Sequence, residues 1–110
     1  MENNVIPGVF CDIQGTLLDY NAEKVNKDVL KMLKGYEKQG KRIHLWTGGD
    51  PDDFKEKIAG LGMKWSVLNK HDFKNKTVEI AIDDFPEKKF LDDYKIKAQT
   101  FVFYDTGVWD

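Results

Sequence analysis

Four short apolar runs in this chain each stop at a polar group and a turn. Val9-Phe10-Cys11 ends in Asp12 and passes into Ile13-Gln14-Gly15-Thr16-Leu17. Arg42-Ile43-His44-Leu45-Trp46 ends in Thr47-Gly48-Gly49, and Trp65-Ser66-Val67-Leu68 is followed by Asn69-Lys70. Val78-Glu79-Ile80-Ala81-Ile82 ends in Asp83-Asp84. Such runs, bounded by turn residues, read as buried β-strands. Thr100–Tyr104 predicts a fifth strand.

Between the strands the spacing becomes helical. Val25, Val29, Leu33 and Tyr36 form one stripe, with Leu30 beside them and lysines opposite, and Gly40 supplies a left-handed stop. Asp50 suits an N-cap and Pro51 a first helical position, with Asp52 and Asp53 at the positive end of the dipole. Phe54, Ile58 and Leu61 mark that helix's buried stripe, and Gly62 ends it. A third helix begins near Pro86 with Phe90, Leu91 and Tyr94 facing inward. Residues 69–76 are polar and weakly patterned, and read as loop. The order β-α-β-α-β-β-α-β predicts a mainly parallel five-stranded sheet with helices on both faces, a Rossmann-like three-layer α/β/α sandwich.

Composition narrows the function classes. A chain of 110 residues forms a single domain with one core, and 41% hydrophobic and 33% charged residues suit a globular protein. No apolar run nears the ~20 residues that span a bilayer, and Met1–Pro7 lacks the basic and apolar regions of a secretory signal. The lone Cys11 forms no internal disulfide, which fits a cytoplasmic location, and inside a strand it reads as a small hydrophobe. A net charge of −2 argues against broad nucleic-acid binding.

If the strands are parallel, Asp12, Thr47, Lys70 and the Asp83-Asp84 pair lie on one sheet edge, where open α/β sheets bind ligands. Each has a plainer reading: Asp12 as a turn residue, Thr47 as the start of a strand-to-helix turn, the lysine as a solvated charge. Gly48 and Gly49 allow backbone N–H groups to approach an anion closely.

In order and spacing, these motifs resemble the haloacid dehalogenase-like (HAD) superfamily of aspartate-nucleophile phosphohydrolases, from Val9 to about Phe85. A receiver domain also uses Asp, Thr and Lys at strand ends, but its acidic pair ends the first strand, whereas here the pair comes last. The HAD resemblance implies that Asp12 is a nucleophile attacking phosphorus. It implies Mg²⁺ held by Asp12, the backbone carbonyl of Gln14 and the Asp83-Asp84 pair, one acid ligating directly and the other through water. It further implies phosphoryl binding by Thr47, Gly48 and Gly49, and charge stabilisation by Lys70, with Lys74 and Lys76 as rival lysines.

Gln14 departs from the family's phosphatase pattern, which has an Asp there to protonate the leaving group and activate water. An amide can orient water but cannot ionise. Losing such a group typically costs about 10²–10⁴ in rate. His71 and Asp19 are candidate substitute bases, although both residue types are commonly just surface groups. Short segments after the first and third strands leave no room for a cap insertion. An open site admits bulky phosphorylated substrates, and either the substrate or a partner subunit in a homo-oligomer would cover it. Phe85, Tyr104 and Trp109 are candidate apolar contacts near the edge, with a core role as the alternative for Phe85 and Tyr104. The expected function is a Mg²⁺-dependent phosphohydrolase of modest activity. The alternative is a catalytically impaired relative acting as a phosphate-binding or regulatory module.

Overall fold

Each of the apolar runs becomes a strand in the computed structural model, which describes residues 4–21 and 23–104. The elements are β1 (Val5–Asp12), α1 (Lys27–Lys38), β2 (Ile43–Thr47), α2 (Asp52–Gly60) and β3 (Ser66–Asn69). A 3₁₀ turn (Lys70–Phe73), β4 (Thr77–Asp83), α3 (Glu87–Tyr94) and β5 (Lys97–Phe103) follow. The sheet has five strands in the order β3-β2-β1-β4-β5, every pair parallel. From β1 the chain moves outward through β2 and β3, then returns to place β4 on the other side of β1. The connections therefore diverge at the carboxyl ends of β1 and β4, the position where open α/β sheets form a ligand crevice.

Alternation along the central strands splits the core in two. Val9, Cys11, Leu45 and Ile82 pack with Val29 and Leu33 of α1 and Ile58 of α2. Phe10, Trp46 and Ala81 pack on the other face with Phe90 of α3. The result is a Rossmann-like α/β/α sandwich. Among the described residues, no helix is long and apolar enough to cross a membrane.

Helix boundaries follow local chemistry. Asn26 caps α1, its side chain accepting from the N–H groups of Asp28 at 3.0 Å and Val29 at 3.2 Å. Val25 therefore lies outside the helix, contrary to its place in the periodic stripe, and makes an isolated bridge with Leu18 while packing against the same core. Asp50 accepts from the N–H of Asp52 at 3.0 Å, and Pro51 already has helical dihedrals, as expected for an N-cap and first helical residue. Gly40 and Gly62 follow α1 and α2 with φ of +89° and +83°.

Other elements also differ from expectation. Leu61, expected on the buried stripe of α2, is 43% exposed just past the end of that helix. Leu91 is 37% exposed, because an eight-residue helix turns only a narrow face inward and Phe90 fills it. β5 begins at Lys97, earlier than its apolar residues suggest, because an edge strand keeps much of its surface in solvent. The 69–76 segment contains the 3₁₀ turn, begun by the Asn69 side chain accepting from the N–H of His71 at 2.8 Å.

β1 also starts before Val9, and a register shift between Ile6 and Val9 separates its two halves. Gly8 sits in the shift with φ +116°, and a Cβ there would lie 2.9 Å from the carbonyl oxygen of Arg42. Its N–H donates to Glu79 Oε1 at 2.8 Å, while the other oxygen of Glu79 pairs with Lys41. Gly8→Ala should therefore lower stability by about 1–3 kcal/mol, the cost of a strained backbone, as measured by urea unfolding.

Candidate functional site

The carboxyl ends of β1 and β4 bring the acidic groups together. Cys11 is in register with Ile82, so the next residues, Asp12 and Asp83, end adjacent strands side by side. Asp12, Asp83 and Asp84 each offer a carboxylate oxygen within 4.8 Å of the others. Lys70 enters as the first residue of the 3₁₀ turn after β3. Its Nζ donates to Asp12 Oδ1 at 2.8 Å and Asp83 Oδ2 at 3.0 Å, and the residue is only 2% exposed. Lys74 and Lys76 are exposed, so the choice among the three lysines falls on Lys70.

Tight turns hold these side chains. After Asp12 the chain folds back, with the N–H of Leu18 donating to the carbonyl of Ile13 at 2.8 Å and Ile13, Leu17 and Leu18 fully buried as anchors. Gly15, at φ +93°, passes so close to Asp84 that a Cβ would lie 2.8 Å from its Oδ2. The turn returns Thr16 to the site, where its hydroxyl lies 3.0 Å from Asp12 Oδ2 and 3.4 Å from Asp84 Oδ1. Asp83 Oδ1 accepts from the N–H of Phe85 at 3.0 Å, which fixes its second oxygen on Lys70. Tyr20 donates to Asp84 Oδ2 at 2.7 Å.

A cavity of about 410 Å³ opens over this cluster. Its floor includes Asp12, Lys70, Asp83 and Asp84, and Gln14, Gly48 and Gly49 line it too. Asn69 Nδ2 donates to the carbonyl of Gly49 at 3.2 Å, and His71 Nε2 lies 3.2 Å from that of Gly48, tying the Gly48-Gly49 turn to the end of β3. Thr47 is buried at the end of β2 but does not line the cavity, and its hydroxyl accepts from the N–H of Gly49 at 3.1 Å. Gln14 is exposed, and its amide donates to the carbonyl of Tyr20.

Of the candidate bases, His71 lines the cavity, whereas Asp19 does not. Asp19 instead caps the following turn, accepting from Glu23 N–H at 2.8 Å and Lys24 N–H at 3.2 Å, bonds that hold its carboxyl below the usual range. Phe85 lines the cavity; Tyr104 lies away from it and donates to Asp28 Oδ2 at 3.1 Å. Trp109 falls outside the described residues.

Sequence reading passed over Thr16, Tyr20 and Asp93, and it assigned Tyr94 to the core although it lines the cavity. The Gly15-Thr16 turn was a signal for the first. For the others only the fold supplies proximity.

Charge in the cluster is unbalanced. Three carboxylates face one ammonium, which would leave two negative charges in a largely buried site when all three are ionised. Burial pushes Asp12 up to about 7, with Asp83 and Asp84 adding to the rise and Lys70 opposing it. Burial also raises Asp83 against the pull of Lys70. For Lys70, burial disfavours the ammonium, but Asp12 and Asp83 outweigh it and hold the amine protonated beyond the usual lysine range. An acid that resists ionisation and a base that resists deprotonation are compatible here, because burial disfavours the carboxylate anions while the neighbouring carboxylates favour the ammonium. Tyr20 is pushed up to about 12, chiefly by its bond to Asp84.

The donor set is all oxygen, clustered and over-charged, so the residues fit a hard divalent cation. Compared with family models, curated proteins and solved structures, the chain matches none.

Two predictions follow from the charge imbalance. Asp12 has a folded value near 7 against 3.8 unperturbed, so its contribution to stability is full below about pH 4 and lost as pH rises through about 7. In chelator-treated protein, Asp12→Asn should gain stability relative to wild type between pH 5 and pH 8, by on the order of 2 kcal/mol in urea titrations. Lys70→Met leaves Asp12 and Asp83 without a counter-charge. It should destabilise by about 3–5 kcal/mol at pH 8, and by less at pH 5 where the carboxylates take up protons.

Proposed function

We propose that this chain is a HAD-like, Mg²⁺-dependent phosphohydrolase with Asp12 as nucleophile. The observation that carries the reading is the buried cluster of Asp12, Asp83 and Asp84 around Lys70, left with two surplus negative charges when all three acids are ionised, at the edge of an open cavity. Asp12, Asp83, Asp84 and the backbone carbonyl of Gln14 would hold the metal. When bound, Mg²⁺ would offset the surplus charge and let an anionic phosphate approach an anionic nucleophile.

The chain's own groups then have definite tasks. Lys70 and Thr16 hold the two oxygens of Asp12, so the carboxylate plane is fixed before substrate arrives. A carboxylate oxygen attacks phosphorus, the bond from phosphorus to the leaving oxygen breaks, and an aspartyl phosphate results. Water then attacks phosphorus, the bond to Asp12 breaks, and inorganic phosphate departs with the carboxylate restored. Lys70 counters charge on the nucleophile and the phosphoryl oxygens throughout. Gly48 and Gly49 supply a cavity wall without side chains, against which a phosphoryl group can lie. Thr47, bonded to Gly49, shapes that turn.

One observation favours a second reading. Gln14 bonds its amide to the carbonyl of Tyr20 and offers no ionisable group to the cavity. The chain would then bind metal and phosphate as a regulatory module with little turnover.

Phosphate release from an aryl phosphate should require Mg²⁺ and vanish in Asp12→Asn. Full activity in that variant would exclude a nucleophilic Asp12. Mg²⁺ should raise the melting temperature of wild type, because it binds only the folded chain, and Asp83→Asn with Asp84→Asn should abolish the rise. Mg²⁺-dependent stabilisation without turnover across a broad phosphate panel would select the module.

A further inference from the structure

Two independent features of the cavity bear on the group that leaves. One is its wall. Tyr20, His71, Phe85 and Tyr94 line it together. The rings of Phe85 and Tyr94 are near-parallel, at 23° and 6.3 Å between centroids, and His71 lies 5.7 Å from Tyr94. This wall is anchored in the fold, since Tyr94 packs against Phe90 at 5.4 Å. Tyr94 also closes over Gly48, where a Cβ would come within 2.8 Å of its hydroxyl. Its ring lies 4.5 Å from Lys70 Nζ, so the aromatic surface begins at the ammonium beside the nucleophile. A planar group attached to a phosphate at Asp12 can meet the faces and edges of these rings on one side of the cavity.

The other feature is the missing proton donor. Gln14 cannot ionise, and one of its two amide hydrogens is donated to the carbonyl of Tyr20. The Tyr20 hydroxyl is directed to Asp84, His71 Nε2 lies 3.2 Å from the carbonyl of Gly48, Asp93 pairs with Lys89 at 3.0 Å, and Asp19 serves its own turn outside the cavity. With each of these groups engaged elsewhere among the described residues, a leaving oxygen departs as an anion and takes its proton from water. A phenoxide can do so, its conjugate acid having a pKa of about 10. An alkoxide, closer in basicity to hydroxide from water at about 15.7, needs the acid that Gln14 does not supply.

We propose, resting on the phosphohydrolase reading above, that the substrates are aryl phosphates, monoesters of phenols. Asp12 displaces the phenoxide from phosphorus, the phenoxide leaves with the bonding electron pair and is protonated by solvent, and water hydrolyses the aspartyl phosphate. The wall selects the ring, and the absence of an acid selects the leaving group.

Three phosphate monoesters and one acyl phosphate separate these two selections in the Mg²⁺-loaded full chain. Phenyl phosphate offers both a ring and a stable leaving anion. Acetyl phosphate offers only the leaving anion, a nucleoside 5′-monophosphate only the rings, and glycerol phosphate neither. Phenyl phosphate should exceed the nucleotide in kcat/KM, which reports the step that expels the leaving group, by about 10² or more, and it should have a lower KM than acetyl phosphate. Gln14→Asp should raise kcat/KM for the nucleotide and glycerol phosphate by about 10²–10⁴, and for phenyl phosphate by less than about tenfold. A phosphotyrosyl peptide run beside phenyl phosphate distinguishes a protein-borne phenol from a small one. Turnover of either supports the class, and the ratio assigns the source.

Calorimetry with non-hydrolysable phosphonates tests the wall without turnover. Phenylphosphonate should bind about tenfold tighter than methylphosphonate, and Phe85→Ala should narrow that gap. Equal affinities, or alkyl esters cleaved as fast as phenyl phosphate, would overturn the inference while leaving the hydrolase reading intact. Failure to cleave any ester would overturn both.

Discussion

A single ammonium sits between two carboxylates that the sheet forces together, and the rest of the site is organised around that contact. Asp12 and Asp83 end neighbouring parallel strands, so their separation is set by backbone pairing and cannot relax by side-chain movement alone. Two buried acids at that spacing would repel strongly without Lys70, whose Nζ bonds to both. Yet one positive charge does not balance Asp84 as well. The three acids could hold a metal ion there. A buried ion pair contributes little net stability, because desolvation offsets attraction.

The surroundings limit how far these charges can move. Backbone turns, not long side chains, set most positions: Gly15 brings the chain against Asp84, Asn69 starts the 3₁₀ turn that delivers Lys70, and Phe85 N–H orients Asp83. Such constraints are fixed before any ligand arrives. Beneath them the aromatic packing of Phe10, Trp46, Phe73 and Phe90 forms a rigid floor. Within that floor the Trp46 indole N–H has no hydrogen-bond partner among the described residues, an uncommon cost in a closely packed core.

Much of the fold was legible along the chain, because hydrophobic period and turn chemistry are local. Alternating apolar runs located all five strands, and Asp50-Pro51 and the glycines after α1 and α2 marked boundaries through backbone preference alone. Where local pattern failed, a tertiary effect had overridden it. Val25 fits the stripe of α1, but the Asn26 cap starts the helix after it. Leu91 is as apolar as Phe90, but only one of them can face the sheet from so short a helix. The edge position of β5 let polar residues extend a strand whose apolar centre alone was visible.

For the site, the sequence by itself determined which strand ends carry Asp12, Thr47, Lys70, Asp83 and Asp84, since a buried strand must stop where its polar residues begin. It also determined that Gln14 cannot serve as an acid, which is a matter of functional group. Tertiary structure alone decided which lysine reaches the acids, because Lys70, Lys74 and Lys76 are chemically identical and differ only in the turn that carries them. It alone turned Thr16 onto Asp12, Tyr20 onto Asp84 and Tyr94 over Lys70, and it set Thr47 behind the Gly48-Gly49 turn. These are contacts between segments distant in the chain or folded back on themselves. Their geometry depends on strand order and turn shape, and no local period in the sequence encodes either.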